Sequence, residues 1–97
     1  MASNFKIIVH RDNDNLYLQL LGDFDGFSAH QLVNTLKKHC AGAVSIFIHT
    51  SGLKHIYPFA QNTLQNNLYS LNHEFFGSLI FTGEGALKIA PINSKIL

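Results

Sequence analysis

The sequence predicts an α/β protein: a mixed β-sheet with helices packed mainly on one of its faces. Three observations carry that expectation. Apolar, strand-like stretches recur at residues 5–10, 16–21, 43–48 and 78–81. The first two are separated only by a polar turn, as in a hairpin. The later ones are separated by segments whose apolar residues follow the helical period, so helices alternate with strands.

The first strand is FKIIVH, residues 5–10. Arg11 to Asn15 is a turn, because Asp and Asn bond their own backbone and tolerate positive φ. Leu16 to Leu21 alternates: Leu16, Leu18 and Leu20 share one face, Tyr17 and Gln19 the other. Gly22-Asp23-Phe24-Asp25-Gly26 stops this strand. Asp25 is the expected N-cap of a first helix, since its carboxylate can accept from the unbonded amides of the next turn. Ala29, Leu32, Val33, Leu36 and Cys40 recur at helical spacing and form that helix's buried stripe. The helix runs to about His39, and Ala41-Gly42 ends it.

Ala43 to Ile48 is a short strand with Val44, Ile46 and Ile48 on one face. Ser51 to Tyr57 reads as a loop. Pro58 fits the first turn of a second helix, where its missing N–H costs nothing. Ala60, Leu64, Asn67, Leu68 and Leu71 share the buried face of that helix, which ends near Asn72-His73. Ser78 to Phe81 is the last strand, and Gly83-Glu84-Gly85 stops it. Ala86 to Ile89 is a short final helix limited by Pro91, and the tail after it is expected to be loosely held. The predicted order is β-β-α-β-α-β, with a short α at the end.

Ninety-seven residues fit a single domain spanning 1–97. Charged residues make up 13%, about half the usual share, so Asn, Gln, Ser and Thr supply the polar surface. The net charge is +1 and the seven Lys and Arg are scattered. Lys37-Lys38 is the only basic pair, which gives no electrostatic footprint for nucleic acid. Cys40 is the single cysteine, so no intramolecular disulfide framework is expected. The Met-Ala-Ser-Asn start has neither a basic nor an apolar leader region, and no apolar run approaches the roughly 20 residues that span a bilayer. A cytoplasmic protein without membrane insertion is the expectation.

With these elements in this order, the chain resembles the STAS family, the module of bacterial anti-sigma factor antagonists and of sulfate-transporter tails. The likeness covers roughly residues 5–90 and rests on three segments. LYLQLLGDFDGFSAHQLVNTL (16–36) is similar to the family's strand, Gly-x-hydrophobic-Asp turn and first helix, with Gly22, Phe24 and Asp25 matching. AVSIFIHTSGLKHI (43–56) is similar to the following strand, and GSLIFTGEGALKIAP (77–91) to the late strand and its exit loop. The resemblance implies a STAS-like mixed sheet and a role in signalling and transcription regulation through protein–protein interaction. Two departures stand out. His49 lies where the family strand usually ends in Asp. Tyr57, Pro58, Phe59 and Ala60 lie where the family usually reads Asp-Ser-Ser/Thr-Gly. The serine or threonine that a cognate kinase phosphorylates in switching members would fall at Pro58 or Phe59, and neither carries a hydroxyl. The resemblance therefore implies no phosphorylation at the family position.

His10, His30, His39, His49, His55 and His73 are scattered. His49 and His55 flank one predicted loop and could bind a small ligand or metal there, but no helical i, i+4 pair, cysteine or carboxylate joins them locally. Solvated or hydrogen-bonded histidines are the plainer reading. Asp12-Asn13-Asp14-Asn15 begins like a calcium loop but lacks its glycine and closing glutamate. Gly83-Glu84-Gly85 lacks the third glycine of a dinucleotide fingerprint. Cys40 reads as a packed thiol, and Asp23 and Asp25 as turn and cap. No nucleophile, base and orienting group can be assembled, so neither an enzyme nor a cofactor is expected.

The outward face of the second helix is more informative. Phe59, Asn62, Asn66 and Tyr69 fall opposite the buried stripe, and no charge occurs between Ile56 and His73. A solvated helix face normally carries Lys and Glu, whereas interfaces gather aromatics and exclude charge. The plainer reading is a surface helix with two scattered aromatics. The resemblance adds that STAS domains bind partners through this helix and the preceding loop. Ser51, Tyr57, Pro58, Phe59, Asn62, Asn66 and Tyr69 are thus the expected partner-binding residues. The expected partner is an anti-sigma factor or kinase-like regulatory protein. Two other functions stand beside this one: an accessory subunit of a membrane transport ATPase, and a small-ligand or enzymatic domain at His49–His55. A homodimer through the neutral helix face is a further arrangement that the sequence leaves open.

Overall fold

The computed structural model describes residues 4–39, 41–69, 79–91 and 94–97, with the Tyr69 side chain outside that set. The elements run β1 (Lys6–Asp12), β2 (Asn15–Phe24), α1 (Gly26–His39), β3 (Ser45–Ile56), α2 (Ala60–Tyr69), β4 (Leu79–Thr82), α3 (Ala86–Ile89) and β5 (Lys95–Ile96). Among the described residues the strands form one sheet in chain order, β1-β2-β3-β4-β5. β1 and β2 are antiparallel; every later neighbour is parallel. This is the mixed sheet that the sequence predicts, with a strand added at its far edge.

Alternation decides which side of each strand is buried. Leu16, Leu18, Leu20 and Phe24 of β2, Ile46 and Ile48 of β3, and Leu79 and Phe81 of β4 are fully buried. They form one cluster with Ala29, Leu32, Val33 and Leu36 of α1 and Ala60, Leu64 and Leu68 of α2. Burying each large side chain contributes about 1.5–3 kcal/mol before entropy is counted. The expected helical stripes are therefore the faces that bury. Asn67 is half-buried, and its Nδ2 donates to the Thr63 carbonyl at 2.7 Å. Cys40, Leu71 and the second helix's expected end at Asn72-His73 lie outside the described residues.

The opposite side of the sheet carries an aromatic row. Tyr17 and Phe47 are partners across β2 and β3, with ring centroids 5.1 Å apart and planes 11° from parallel. His49 continues the row 6.4 Å from Phe47, and His10 of β1 lies 6.0 Å from Tyr17 on its other side.

Five boundaries differ from expectation. β1 extends to Asp12, and Asn13 makes the hairpin turn with φ 55°. β2 runs through Gly22 to Phe24 rather than stopping, with register shifts against β3 on both sides of Gly22. Gly22 has φ +93°, a conformation that glycine supplies without strain. β3 runs on from Ser51 to Ile56, a stretch expected to be a loop, because β2 offers a backbone ladder as far as the Phe24–Ile56 pair. Val44 precedes β3 and is exposed rather than sharing its buried face. The tail is held: β5 pairs with β4, and the Leu97 amide donates to the Phe81 carbonyl at 3.0 Å.

Candidate functional site

The residues that the sequence singles out run from Ser51 within β3, through the turn at Tyr57, Pro58 and Phe59, and along α2 to Tyr69 at its end. β3 delivers Ser51, Lys54 and His55 to the surface, and its ladder with β2 ends as the Tyr57 amide donates to the Phe24 carbonyl at 2.9 Å. Pro58 and Phe59 form the turn into α2. The Ala60 amide bonds the Tyr57 carbonyl at 3.0 Å, and the Thr63 amide bonds the Phe59 carbonyl at 3.1 Å. Phe59 thus occupies the N-cap position, since its carbonyl accepts the first helical bond. Pro58 stands two residues before Ala60, the first residue of the helix, instead of in its first turn.

A buried hydroxyl fixes the neighbouring loop. Thr50 is 1% exposed. Its Oγ1 donates to the Thr82 carbonyl at 2.7 Å and accepts the Gly85 amide at 3.0 Å. Gly83 turns at φ +94°, and a Cβ there would sit 2.7 Å from the Ser51 nitrogen. β3 and the β4–α3 turn are therefore locked together, which sets α3 beside the 54–58 segment.

The surface so formed is apolar and open. Phe59 is 78% exposed and Tyr57 50% exposed. Ser51, Pro58, Asn62 and Asn66 are exposed as well. Asn62 and Asn66 follow Phe59 at helical spacing, so the three share the outward face of α2. Gln61 points elsewhere: its Nε2 donates to the Ala90 carbonyl at 2.7 Å. Tyr69 ends α2, and its side chain lies outside the described residues.

Two concavities flank this surface. One of about 440 Å³ is lined by Lys54, His55, Ile56, Tyr57, Pro58 and Lys88. The other, about 420 Å³, lies between the start of α1 and α2 and is lined by Asp25, Gly26, Phe27, His30 and Thr63. Phe27 is 63% exposed at its rim. Lys54, Lys88 and Phe27 are not among the expected site residues. Phe27 carries a usable signal, because it falls off the α1 buried stripe. The meeting of Lys54 and Lys88 has no signature in the chain, because only the fold brings β3 to α3.

Asp25 caps α1 as expected. Its Oδ1 accepts the Ser28 amide at 2.9 Å, and its carbonyl accepts the Ala29 amide at 3.0 Å. The Ser28 hydroxyl shares its proton between Asp25 Oδ1 at 3.0 Å and the Asp23 carbonyl at 2.8 Å. Partial burial raises the Asp25 carboxyl, but the bonds from Ser28 and the Phe27 amide outweigh it and hold the group below its ordinary value. Asp23 belongs to β2 rather than to a turn.

The structure does not bring His49 and His55 together. They stand six positions apart on one strand, about 20 Å at the usual rise. His49 Nδ1 is hydrogen-bonded to Thr82 Oγ1, while the His55 ring lines the basic concavity. No group of three or more His, Cys, Asp or Glu side chains that could hold a metal ion occurs among the described residues. No helix among them is long and apolar enough to cross a membrane.

No protein-family model matches the chain, and no curated protein matches it in sequence. Solved structures do match it in fold. The anti-sigma factor antagonist SpoIIAA in its unphosphorylated form superposes with a TM-score of 0.63 at 11% identity, over 96% of this chain and 86% of that one. An anti-sigma factor antagonist from Mycobacterium paratuberculosis gives 0.63 at 14% identity, over 84% of this chain and 69% of that one. A DUF3478-family protein with a SpoIIAA-like fold from Shewanella loihica PV-4 gives 0.58 at 18% identity, over 100% and 90%. At these identities the likeness concerns the fold. The chain has the STAS-like fold of SpoIIAA.

Proposed function

We propose that this chain is a non-catalytic protein-binding module that works as an anti-sigma factor antagonist does. It docks on a kinase-like anti-sigma factor through residues 51–59 and the outward face of α2. The observation that carries this reading is Phe59, 78% exposed at the head of a helix whose outward face holds amides and no charge. A phenyl ring left in water at that level gains about 1.5–3 kcal/mol when a partner covers it. Tyr57, exposed two residues before it, widens the same apolar patch.

A helix N-terminus favours phosphate, because free amides and the dipole both attract negative charge. Phosphorylation there adds about two negative charges and can break an interface. Pro58 and Phe59 offer no acceptor at this place, so the module is controlled by partner abundance rather than by that switch.

The test uses the purified chain to capture proteins from native lysate, with Phe59→Asp and Tyr69→Asp beside wild type. The expected result is an anti-sigma factor of kinase type, captured by wild type and lost with Phe59→Asp. Incubated with that partner and ATP, the wild-type chain should take up no phosphate at residues 57–60. A transport ATPase captured instead would assign the chain to a transport complex. Capture unaffected by either variant would discard the α2 face.

A further inference from the structure

β1 is an outer strand of the described sheet, and among the described residues one of its two backbone edges has no partner strand. Such an edge recruits another strand unless it is short, bulged or charged along its middle. β1 is none of these. It has seven residues, and its middle is Ile8-Val9, 51% and 38% exposed. Its charges sit towards the ends: Lys6 at one, Arg11 and Asp12 at the other.

The order of those charges decides the occupant. An antiparallel pairing of β1 with a second β1 about a two-fold axis at Val9 places Lys6 opposite Asp12, Ile7 opposite Arg11 and Ile8 opposite His10. The Lys6–Asp12 pair then forms twice. Pairing with β2 fixes the faces: Lys6, Ile8, His10 and Asp12 lie on the side of Gln19 and Tyr17, away from the core. Opposed residues of an antiparallel pair share a face, so each ammonium meets a carboxylate on that side. Among the described residues neither Lys6 nor Asp12 has a side-chain hydrogen bond or ion pair. Arg11 is already engaged: its Nη1 donates to the His39 carbonyl at 2.9 Å and its Nε to Asn13 at 3.4 Å. It therefore adds little repulsion.

We propose that this chain forms a two-fold homodimer by antiparallel β1–β1 pairing, in the register that sets Lys6 against Asp12. The two sheets join into one, and the aromatic row of Phe47, Tyr17 and His10 continues to Ile8 of the second copy. The surface is separate from the α2 face, so a partner and a second copy can be held together. One strand pair is a small interface, so the dimer is transient and concentration-dependent.

The test is sedimentation equilibrium on the full chain from about 10 µM to about 1 mM, the range of weak association. The variants are Lys6→Asp, Asp12→Lys, the double exchange and Phe59→Asp. Wild type should move from 10.8 kDa towards twice that mass as concentration rises. Each single reversal should weaken association about 5-fold or more, since it sets like charges opposite each other. The double exchange should restore it. All of these side chains are exposed, and a thermal melt of each variant checks the fold. A wild type that stays at 10.8 kDa throughout overturns the proposal. So does a dimer that ignores the single reversals, one that the double exchange fails to restore, or one that Phe59→Asp abolishes.

Discussion

The Thr50 hydroxyl accepts the Gly85 amide at 3.0 Å across 35 residues of chain. The same oxygen donates to Thr82 at 2.7 Å, so one buried side chain ties β3 to both sides of the turn that leads into α3. Thr50→Val keeps the shape and strands two buried polar groups. Each unsatisfied group costs about 1–3 kcal/mol, so the loss should be about 2 kcal/mol or more. For a domain of this size the Tm should fall by about 8–16 °C. Thr50→Ser keeps the hydroxyl and should lose about 1 kcal/mol. Paired thermal melts decide it: a Thr50→Val protein as stable as wild type, beside a destabilised Thr50→Ser, would show that the methyl group, not the hydroxyl, matters.

Gly83 and Gly26 should respond oppositely to alanine. At Gly83, φ is +94° and a Cβ would sit 2.7 Å from the Ser51 nitrogen, a backbone atom that cannot step aside. The left-handed conformation alone costs about 1–2 kcal/mol, and the clash adds to it. At Gly26 a Cβ would meet only Thr63 Oγ1 at 3.9 Å. There alanine favours the helix and should be neutral or stabilising by up to about 1 kcal/mol. In urea titrations the midpoint of Gly83→Ala should fall, while that of Gly26→Ala should hold or rise.

How much of this was legible depends on what holds each element. α1 could be read because Ala29, Leu32, Val33 and Leu36 repeat at the period that packing demands. The second half of β3 could not. Ser51 to Ile56 has a glycine, a lysine and a histidine and no alternation, and the ladder to Gly22, Asp23 and Phe24 is made by backbone groups that every residue carries. β5 is similar: Lys95 and Ile96 become a strand because Ile80 and Phe81 present an edge to them. At the site, Phe59, Asn62 and Asn66 could be placed by helical spacing alone. Lys54 and Lys88 could not, because their meeting needs the sheet order and the Thr50 lock.

Asp25 should make the fold acid-sensitive. Its carboxyl lies below the ordinary value in the folded chain, so the charged form is the stabilised one. Above the unfolded value, about 3.9, the carboxylate is charged in both states and its bonds to Ser28 contribute in full. As pH falls through the lower folded value that contribution is lost. Asp25 is partly exposed, so the cap is worth about 1 kcal/mol rather than more. Asp25→Ala should lower stability by about that amount at pH 7, and its deficit should vanish well below pH 4. A deficit that stays constant over this range would show that the carboxylate charge plays no part.

Phe59 separates binding from stability. The N-cap position favours Ser, Thr, Asp and Asn, whose oxygens can accept the free amides of the first turn. A phenylalanine there leaves them to water and holds its own ring 78% exposed. Phe59→Ser should therefore stabilise α2 by about 0.5–1 kcal/mol and raise the Tm by about 2–8 °C. The same change removes the ring that a partner would bury. Losing about 1.5–3 kcal/mol of apolar contact should weaken partner binding about 10-fold or more. A thermal melt and a binding titration on the same preparation read both effects. A more stable protein that binds less would mean that Phe59 is kept for the interface against the preference of the helix. A less stable protein with unchanged affinity would place the ring's role inside the fold and remove it from the docking surface.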